Sequence, residues 1–271
     1  MKTITLKNKL QIPSLGFGTW QLKGQSCTDA VSAALKIGYT HIDTADVYGN
    51  HKEVAEGIKK HGIKRENLFL TTKVWRDQLH HDNILKSAHR FLEELQTDYI
   101  DLLLVHWPNT TISIKETLSA LKELQDDKVI KAFGLSNFTI PLLEEALATN
   151  IEFVNNQVEF HPSLYQKDLK EFCDTHKIVL TGYSPIAQGA DLKIPLIQEL
   201  GKKYGKTPVQ IALSWILKKN IVVIPRSSKP ERIKENLEAL SFQLNDEDCV
   251  QIDNLGLHTR IVRPDFAPFD D

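Results

Sequence analysis

The sequence predicts an α/β fold, a (β/α)8 TIM barrel with a short N-terminal β-hairpin and an extra C-terminal helix. Three observations predict it. Short apolar runs of strand character alternate with amphipathic segments of helical period along nearly the whole chain. The strand-then-helix units number about eight, the count that closes such a barrel. No G-x-G-x-x-G fingerprint follows the first strand: Gly16 and Gly18 are succeeded by Trp20 and Gln21. The rival doubly wound open sheet therefore lacks its signature.

The elements follow in order. Apolar-alternating residues 4–6 and 10–12 bracket Lys7-Asn8-Lys9 as a hairpin. Residues 15–17 form a short apolar piece ending at Gly18. Residues 28–37 have helical spacing, with Ala30, Val31, Ala34 and Leu35 on one face, and stop at Gly38. A strand at 41–42 is followed by a helix at 51–60 that stops near Gly62. A strand at 67–74 precedes an amphipathic helix at 82–95, which Asp82 could cap. Residues 99–105 form an almost continuously apolar strand, as expected when both faces are buried. The alternation then runs helix 113–124, strand 130–135, helix 141–148, strand 153–158, helix 166–176 and strand 178–183. Two helices at 196–204 and 208–218 lead to the last barrel strand at 221–224. A helix at 231–240 and an additional one at 246–254 complete the chain.

Composition bounds what such a barrel can do. No Pro/Gly/Ser-rich linker divides the 271 residues, so 1–271 reads as one barrel domain. The 33 basic and 35 acidic residues are interspersed and give a formal charge of −2, which argues against a broad nucleic-acid footprint. Cys27, Cys173 and Cys249 are scattered and odd in number, without disulfide or metal spacing. A reducing, cytoplasmic setting is expected. The start, Met-Lys-Thr-Ile-Thr-Leu-Lys-Asn-Lys, puts charges where a signal peptide needs an apolar core. The longest apolar runs are too short to span a bilayer. The expected partner is a small molecule, with no nucleic acid and no membrane, and the chain is expected to be a monomer.

Four ionisable residues lie at or near the ends of successive predicted strands: Asp43, Tyr48, Lys73 and His106. In a barrel the C-terminal strand ends form the active face. An acid, a phenol, an ammonium and an imidazole would converge there and could deliver a proton to a carbonyl oxygen. Tyr48 is the candidate general acid. A free phenol has a pKa of about 10, too high for efficient donation near neutral pH. A lysine cation at about 4 Å and an effective dielectric of about 20 is worth roughly 4 kcal/mol, and would lower that value, with desolvation of the phenolate and pairing of the lysine with Asp43 reducing the net shift. Asp43 would keep Lys73 charged and oriented, and His106 would hydrogen-bond the substrate oxygen. Taken singly, each residue has an ordinary explanation as a loop cap, rim aromatic, surface pair or core histidine. Their joint placement favours the functional reading. A metal centre at His41, Asp43, His106 and His161 is the rival, but no paired His-x-His or His-x-x-x-His occurs. His51, His61, His80, His81, His89 and His176 fall in polar contexts and read as solvated.

The motifs resemble those of the aldo-keto reductases along nearly the whole chain. The similar segments are Leu15-Gly-Phe-Gly-Thr-Trp20, His41-Ile-Asp-Thr-Ala45, Val47-Tyr-Gly-Asn50, Thr72-Lys-Val-Trp75 and Asp101-Leu-Leu-Leu-Val-His-Trp-Pro108. Gly134-Leu-Ser-Asn-Phe138, Asn156-Gln-Val-Glu159, Gly182-Tyr-Ser-Pro185 and Ile224-Pro-Arg-Ser227 continue the series. The compact length and the Arg260-x-x-Arg-Pro264 to Pro268-Phe-Asp270 end look most like the bacterial 2,5-diketo-D-gluconate reductase branch.

The resemblance implies a barrel that binds NADPH without a Rossmann domain and reduces aldehydes and ketones by hydride transfer. Diketo-gluconate, methylglyoxal and generic aldehydes all suit it. Asp43, Tyr48, Lys73 and His106 match the family's catalytic tetrad. Ser136, Asn137 and Gln157 match residues that hydrogen-bond the nicotinamide carboxamide. Tyr183 matches the aromatic stacked on the nicotinamide ring, with Ser184 beside it. Arg226, Ser227 and Arg232 match positions around the 2′-phosphate, and Glu235 and Asn236 positions near the adenine. Many relatives carry lysine where this chain has Arg226; arginine still pairs with phosphate, and bidentately. Independently of the resemblance, Ser228 and Glu231 fit a capping box, so a helix N-terminus able to attract an anion is expected there. Trp20, Val47, Trp75, Trp107 and Phe269 would line the substrate pocket. Only four residues separate Trp107 from Ile112, and the tail ends soon after Arg263, so an open pocket is expected. Two rival readings are a lyase using Lys73 as a Schiff-base amine, and a cofactor-binding sensor with little turnover.

Overall fold

Eight parallel strands order the molecule in the computed structural model, which describes residues 2–269. A hairpin comes first, with β1 (Thr3–Thr5) antiparallel to β2 (Gln11–Pro13). The sheet then follows chain order: β3 (Phe17–Gly18), β4 (His41–Asp43), β5 (Phe69–Val74), β6 (Ile100–Val105), β7 (Ile130–Ser136), β8 (Asn155–Glu159), β9 (Val179–Tyr183) and β10 (Val222–Val223). The first and last strands meet. Leu15 bridges Val223 in parallel, Gly16 N–H donates to Val223 O at 2.9 Å, and Gly18 N–H donates to Pro225 O at 3.0 Å. The sheet is thus closed, and no barrel strand is left with an open edge.

Helices connect the strands: α1 (Gly24–Ile37), α2 (His51–His61), α3 (His81–Leu95), α4 (Ile114–Asp126), α5 (Ile140–Ala148), α6 (Lys167–Thr175), α7 (Pro195–Tyr204), α8 (Pro208–Lys218), α9 (Pro230–Leu237) and the additional α10 (Asp246–Asp253). α1 begins four residues before its expected start and ends at Gly38, whose left-handed φ of 116° suits only glycine. No helix among the described residues is long and apolar enough to cross a membrane.

Two expected caps are absent. α3 begins at His81, so Asp82 lies inside the first turn, where its charge complements the helix dipole without capping. At α9, Pro230 takes the first helical position and moves the cap to Lys229, so Ser228 and Glu231 form no capping box. The described capping box lies instead at α8, between Thr207 and Gln210. α9 also stops at Leu237 and passes into a 3-10 turn, Glu238–Ser241.

Two apolar layers hold the barrel. The larger lies between strands and helices and includes Ile42, Leu70, Leu103, Val105, Phe133, Leu135 and Val158. The smaller lies inside, where Phe69, Leu102, Leu104, Ala132, Val154 and Val222 meet Ile4, Leu6 and Ile12 of the hairpin. The hairpin thus plugs the end at which strands begin, and leaves open the end at which they finish. The three cysteines are free and buried, with the Cys27 and Cys173 thiols pushed up to about 12, chiefly by burial.

At Gly134 β7 closely approaches β8. A Cβ there would sit 2.6 Å from Asn155 O and 2.9 Å from Leu104 Cδ2. Gly134→Ala is expected to lower the unfolding free energy by about 2–3 kcal/mol through overpacking. Urea denaturation checks this; an unchanged midpoint would contradict the packing described.

Candidate active site

Strand parity decides which side chains meet at the open end. On β6, Leu103 and Val105 belong to the outer layer, while Leu102 and Leu104 belong to the inner one. His106, one residue further, continues the inward series. By the same alternation β4 ends inward at Asp43, β5 carries Lys73 inward, β7 ends at Ser136, β8 at Gln157 and Glu159, and β9 at Tyr183. Six of the eight parallel strands therefore deliver polar inward residues to a single mouth.

Asp43 and Lys73 form a buried ion pair, with Nζ 2.6 Å from Oδ1. Lys73 Nζ also donates to Thr44 O at 2.7 Å, and Gln157 Nε2 donates to Asp43 Oδ2 at 2.9 Å. The carboxylate is thus gripped from two strands, which fits the rule that buried charges survive only when paired and hydrogen-bonded. Burial pulls the Lys73 ammonium below its ordinary value, and the Asp43 charge and hydrogen bond oppose that pull.

Tyr48 reaches the same place from a loop. It ends a 3-10 turn, Asp46–Tyr48, closed by Gly49 at φ 54°. The Lys23 ammonium donates to the Tyr48 carbonyl. Lys73 Nζ lies 5.3 Å from the Tyr48 ring centroid, and the His106 ring stands edge-on to it at 5.6 Å. The Tyr48 ring and the Lys73 ammonium are thus neighbours. The direction of the phenol's pKa is not the expected one. Burial raises it well above 10, with the Asp43 charge and Tyr183 adding to the rise. The Lys73 cation is largely neutralised by the carboxylate it holds, so desolvation prevails. His106 is buried, its pKa drawn well below the ordinary value by burial and by Lys73, and its Nδ1 has no hydrogen-bond partner among the described residues. It is a neutral imidazole.

The expected nicotinamide-side residues lie next to the four. Ser136 Oγ donates to Gln157 O at 2.8 Å, Asn137 Nδ2 donates to His106 O at 2.9 Å, and Tyr183 OH donates to Asn137 Oδ1 at 2.8 Å. Asn137 and Ser184 adopt left-handed φ of 65° and 49°. Further along the mouth, Arg226 and Arg232 are exposed, Ser227 and Asn236 are buried, and Glu235 is half-buried. Arg226 donates to Gln21 Oε1, and Ser227 Oγ accepts from Lys229 N–H at 3.1 Å, so Ser227 rather than Ser228 orders the entry to α9.

The pocket rim departs from expectation. Trp20 and Val47 are exposed, and Trp75 stands edge-on to His106 at 5.4 Å. Trp107 is only 5% exposed, because the tail folds back over it: Phe266 and Phe269 lie 5.5 and 5.8 Å from its ring. Phe266 also meets Trp75 at 5.8 Å. The mouth is open at Trp20 and walled at Trp107. Phe266 gives no local signal in the sequence, since only tertiary folding brings it to the rim.

One histidine differs from its sequence reading. His51 is buried rather than solvated, between Glu94 Oε2 at 2.8 Å on Nδ1 and Thr72 Oγ1 at 2.8 Å on Nε2. A carboxylate only accepts, so Nδ1 carries the proton and Nε2 accepts from Thr72. Arg90 then joins Glu94 at 3.1 Å to Asp46 at 2.9 Å, tying α3 to the turn that bears Tyr48. His41 bonds Thr71 Oγ1 at 3.0 Å and is held down to about 4, chiefly by burial. His161 is enclosed by Glu159 and Asp191. Among the described residues no group of three or more His, Cys, Asp or Glu side chains is arranged to hold a metal ion. Asn50, in the quoted Val47–Asn50 segment but given no role there, is buried and bonds Thr44, Thr19 and Leu22.

His51 supplies a pH test of this scaffold. Its folded-state pKa lies below the unfolded 6.5, so the unfolded chain binds the extra proton. Its contribution to stability is present above pH 6.5 and is lost as pH falls from there through the lower folded-state pKa. Urea unfolding from pH 7 to 5 should show stability decreasing with acid, and His51→Gln should make that dependence shallower. An equally steep dependence in the variant would contradict a buried, neutral His51.

Comparison with known proteins places this geometry. Residues 14–256 match the sequence profile of the Aldo/keto reductase family. The chain is 40% identical to a glyoxal reductase of Bacillus subtilis over 261 residues, covering 96% of this chain and 94% of that protein. It is 39% identical to the methylglyoxal reductase DkgA of Escherichia coli over 264 residues, covering 95% and 94%. Among solved structures, the aldo-keto reductase MGS-M4 from a Medee basin deep-sea metagenome library superposes with a TM-score of 0.93 at 36% identity, covering 96% of this chain and 97% of that one.

Proposed function

The chain belongs to the aldo/keto reductase family of oxidoreductases, and we propose that it reduces short aldehydes and dicarbonyls of the methylglyoxal type with NADPH, using Tyr48 as the general acid. The observation that carries this reading is the buried Lys73–Asp43 pair at 2.6 Å beside the phenol of Tyr48 and the neutral ring of His106. The substrate class is supported by the glyoxal and methylglyoxal reductases to which the chain is similar. 2,5-Diketo-D-gluconate, whose ketones at C2 and C5 are separated by two carbons, is a larger candidate substrate.

The residues present fit a nicotinamide dinucleotide phosphate. Ser136, Asn137 and Gln157 offer a hydroxyl and two amides at the mouth, matching the donors and acceptors of a carboxamide. The Tyr183 ring is half-buried beside them. Arg226 and Arg232 are exposed next to the N-terminus of α9, where helix N–H groups and two cations suit a phosphate dianion. Gly18 lies where a Cβ would come within 2.9 Å of Ile224 O, so the strands there pack backbone to backbone. When bound, the reduced nicotinamide supplies a hydride to the carbonyl carbon.

The chain's own residues manage the proton. His106, neutral, can donate only a hydrogen bond to the substrate oxygen and holds it near Tyr48. Tyr48, kept protonated by burial, releases its proton to that oxygen as negative charge develops on it. Lys73 stands ready to stabilise the tyrosinate left behind, and Asp43 fixes the ammonium in place. Lys73 is a poor Schiff-base amine here: it is completely buried and commits N–H bonds to Asp43 and Thr44.

Tyr48→Phe should lower kcat for methylglyoxal by about 10²–10⁴-fold while NADPH titration gives an unchanged dissociation constant. Retained turnover would remove Tyr48 from the role of acid. Arg226→Gln should raise KM for NADPH about tenfold, the order expected for one charge-assisted phosphate contact, and leave KM for NADH unmoved. Equal effects on both cofactors would contradict a 2′-phosphate contact.

A further inference from the structure

One buried cluster plays no part in the proton chemistry. Glu159, His161 and Asp191 are each no more than 1% exposed. His161 Nε2 meets Glu159 Oε1 at 2.8 Å, and Nδ1 meets Asp191 Oδ2 at 3.2 Å. Carboxylates only accept, so the ring donates from Nε2 to Glu159, while its Nδ1 is shared between Asp191 and Ser163 Oγ, the latter at 3.0 Å. Its pKa is raised: burial opposes the charge, but the bonds to Asp191 and Glu159 outweigh it. Ser163 completes the far side, donating its hydroxyl to Asp191 Oδ1 at 2.5 Å and its N–H to Oδ2 at 3.1 Å.

The near side faces the C-terminal tail. Ile261 N–H donates to Glu159 Oε1 at 2.8 Å, and Val262 N–H donates to Oε2 at 2.9 Å. The same stretch is paired upstream, where His258 bridges Leu164 and Thr259 N–H donates to Ser163 O at 2.9 Å. Four residues beyond Val262 lies Phe266, held against Trp75, Trp107 and, at 4.5 Å, the Arg76 guanidinium. Glu159 is thus the last inward residue of β8, two positions after Gln157, which holds Asp43.

We propose that Glu159 is a positioning residue for substrate selection: oriented by His161 and Asp191, its two carboxylate oxygens clamp the tail at Ile261 and Val262 and thereby set the Phe266 wall of the carbonyl pocket. The selection rests on the reductase reading above; the clamp does not. Substrates large enough to reach Trp107, such as aromatic aldehydes, depend on that wall, and small dicarbonyls beside Tyr48 do not. Glu159→Gln keeps the shape but replaces one acceptor by an amide N–H, so one tail N–H loses its partner and a buried donor is left unmatched.

The test combines hydrogen exchange with steady-state kinetics on the full chain. In the wild type, the Ile261 and Val262 amides should exchange slowly, like barrel amides. In Glu159→Gln they should exchange about tenfold faster or more, and KM for 4-nitrobenzaldehyde should rise about tenfold, with kcat and KM for methylglyoxal and KM for NADPH unchanged. Phe266→Ala should reproduce the selective rise in KM without faster exchange at residues 261 and 262. Free-peptide exchange rates in the wild type, or unchanged rates in Glu159→Gln, would overturn the clamp. Faster exchange with an unchanged ratio of KM values would overturn the link to substrate. An equal fall in kcat for both substrates would assign Glu159 a general structural role instead. If Glu159→Gln does not fold, wild-type exchange and Phe266→Ala still decide the two halves separately. Absence of any carbonyl reduction by the wild type would sink the reductase reading and leave the exchange result standing.

Discussion

A buried ammonium held by a buried carboxylate is the constraint around which the open end of this barrel is built. Lys73 and Asp43 are both removed from water, and neither could be ionised there alone. The pair persists because β4 and β5 are neighbours in register, with Asp43 opposite Thr71, and because Gln157 reaches across the barrel to the second carboxylate oxygen. Such a pair contributes little net stability against an apolar alternative. Its effect is local: a fixed cation beside a phenol, in a cavity where burial alone would make that phenol a very weak acid.

This arrangement divides the control of Tyr48 between opposing influences. Burial, Asp43 and Tyr183 favour the protonated phenol. In the proposed reaction Lys73 favours the ionised form and acts when the proton departs. The balance suits a donor that must hold its proton until charge appears on a neighbouring oxygen. His106 adds a neutral ring that can orient that oxygen without a charge of its own. Around this centre, His51 with Glu94 and Arg90, and Asn50 with Thr44, fix the turn that carries Tyr48.

Much of the fold and the central site could be read from the sequence, for a physical reason. Parallel barrel strands are buried on both faces, so they stand out as apolar runs, and polar residues within or just beyond them are conspicuous. Asp43, Lys73 and His106 were visible in that way, and Tyr48 through the motif around it. What escaped reading depends on tertiary contact. His51 sits in a polar helical stretch, yet that helix presses it against Thr72 and Phe91. Ser228 and Glu231 have capping-box spacing, but Pro230 claims the first helical position and moves the cap. Phe266 lies in a tail without periodicity, and nothing local shows that the tail returns to Trp107. The opposing influences on the phenol, cation against desolvation and the pairing of Lys73 with Asp43, are legible in the sequence, but their balance is set by a degree of burial that only the folded structure shows.

The coupling between Lys73 and Tyr48 can be measured directly. The protein labelled with ¹³Cζ-tyrosine would be titrated by NMR, with Tyr48→Phe assigning the resonance, in the wild type and in Lys73→Met. With the ammonium 5.3 Å from the ring centroid, its removal should move the Tyr48 midpoint upward by roughly one to two pH units at an effective dielectric near 20. The alternative result is a midpoint that stays where it was. That would mean the cation does not act on the phenol, and the proton-transfer role assigned to the pair would have to be abandoned.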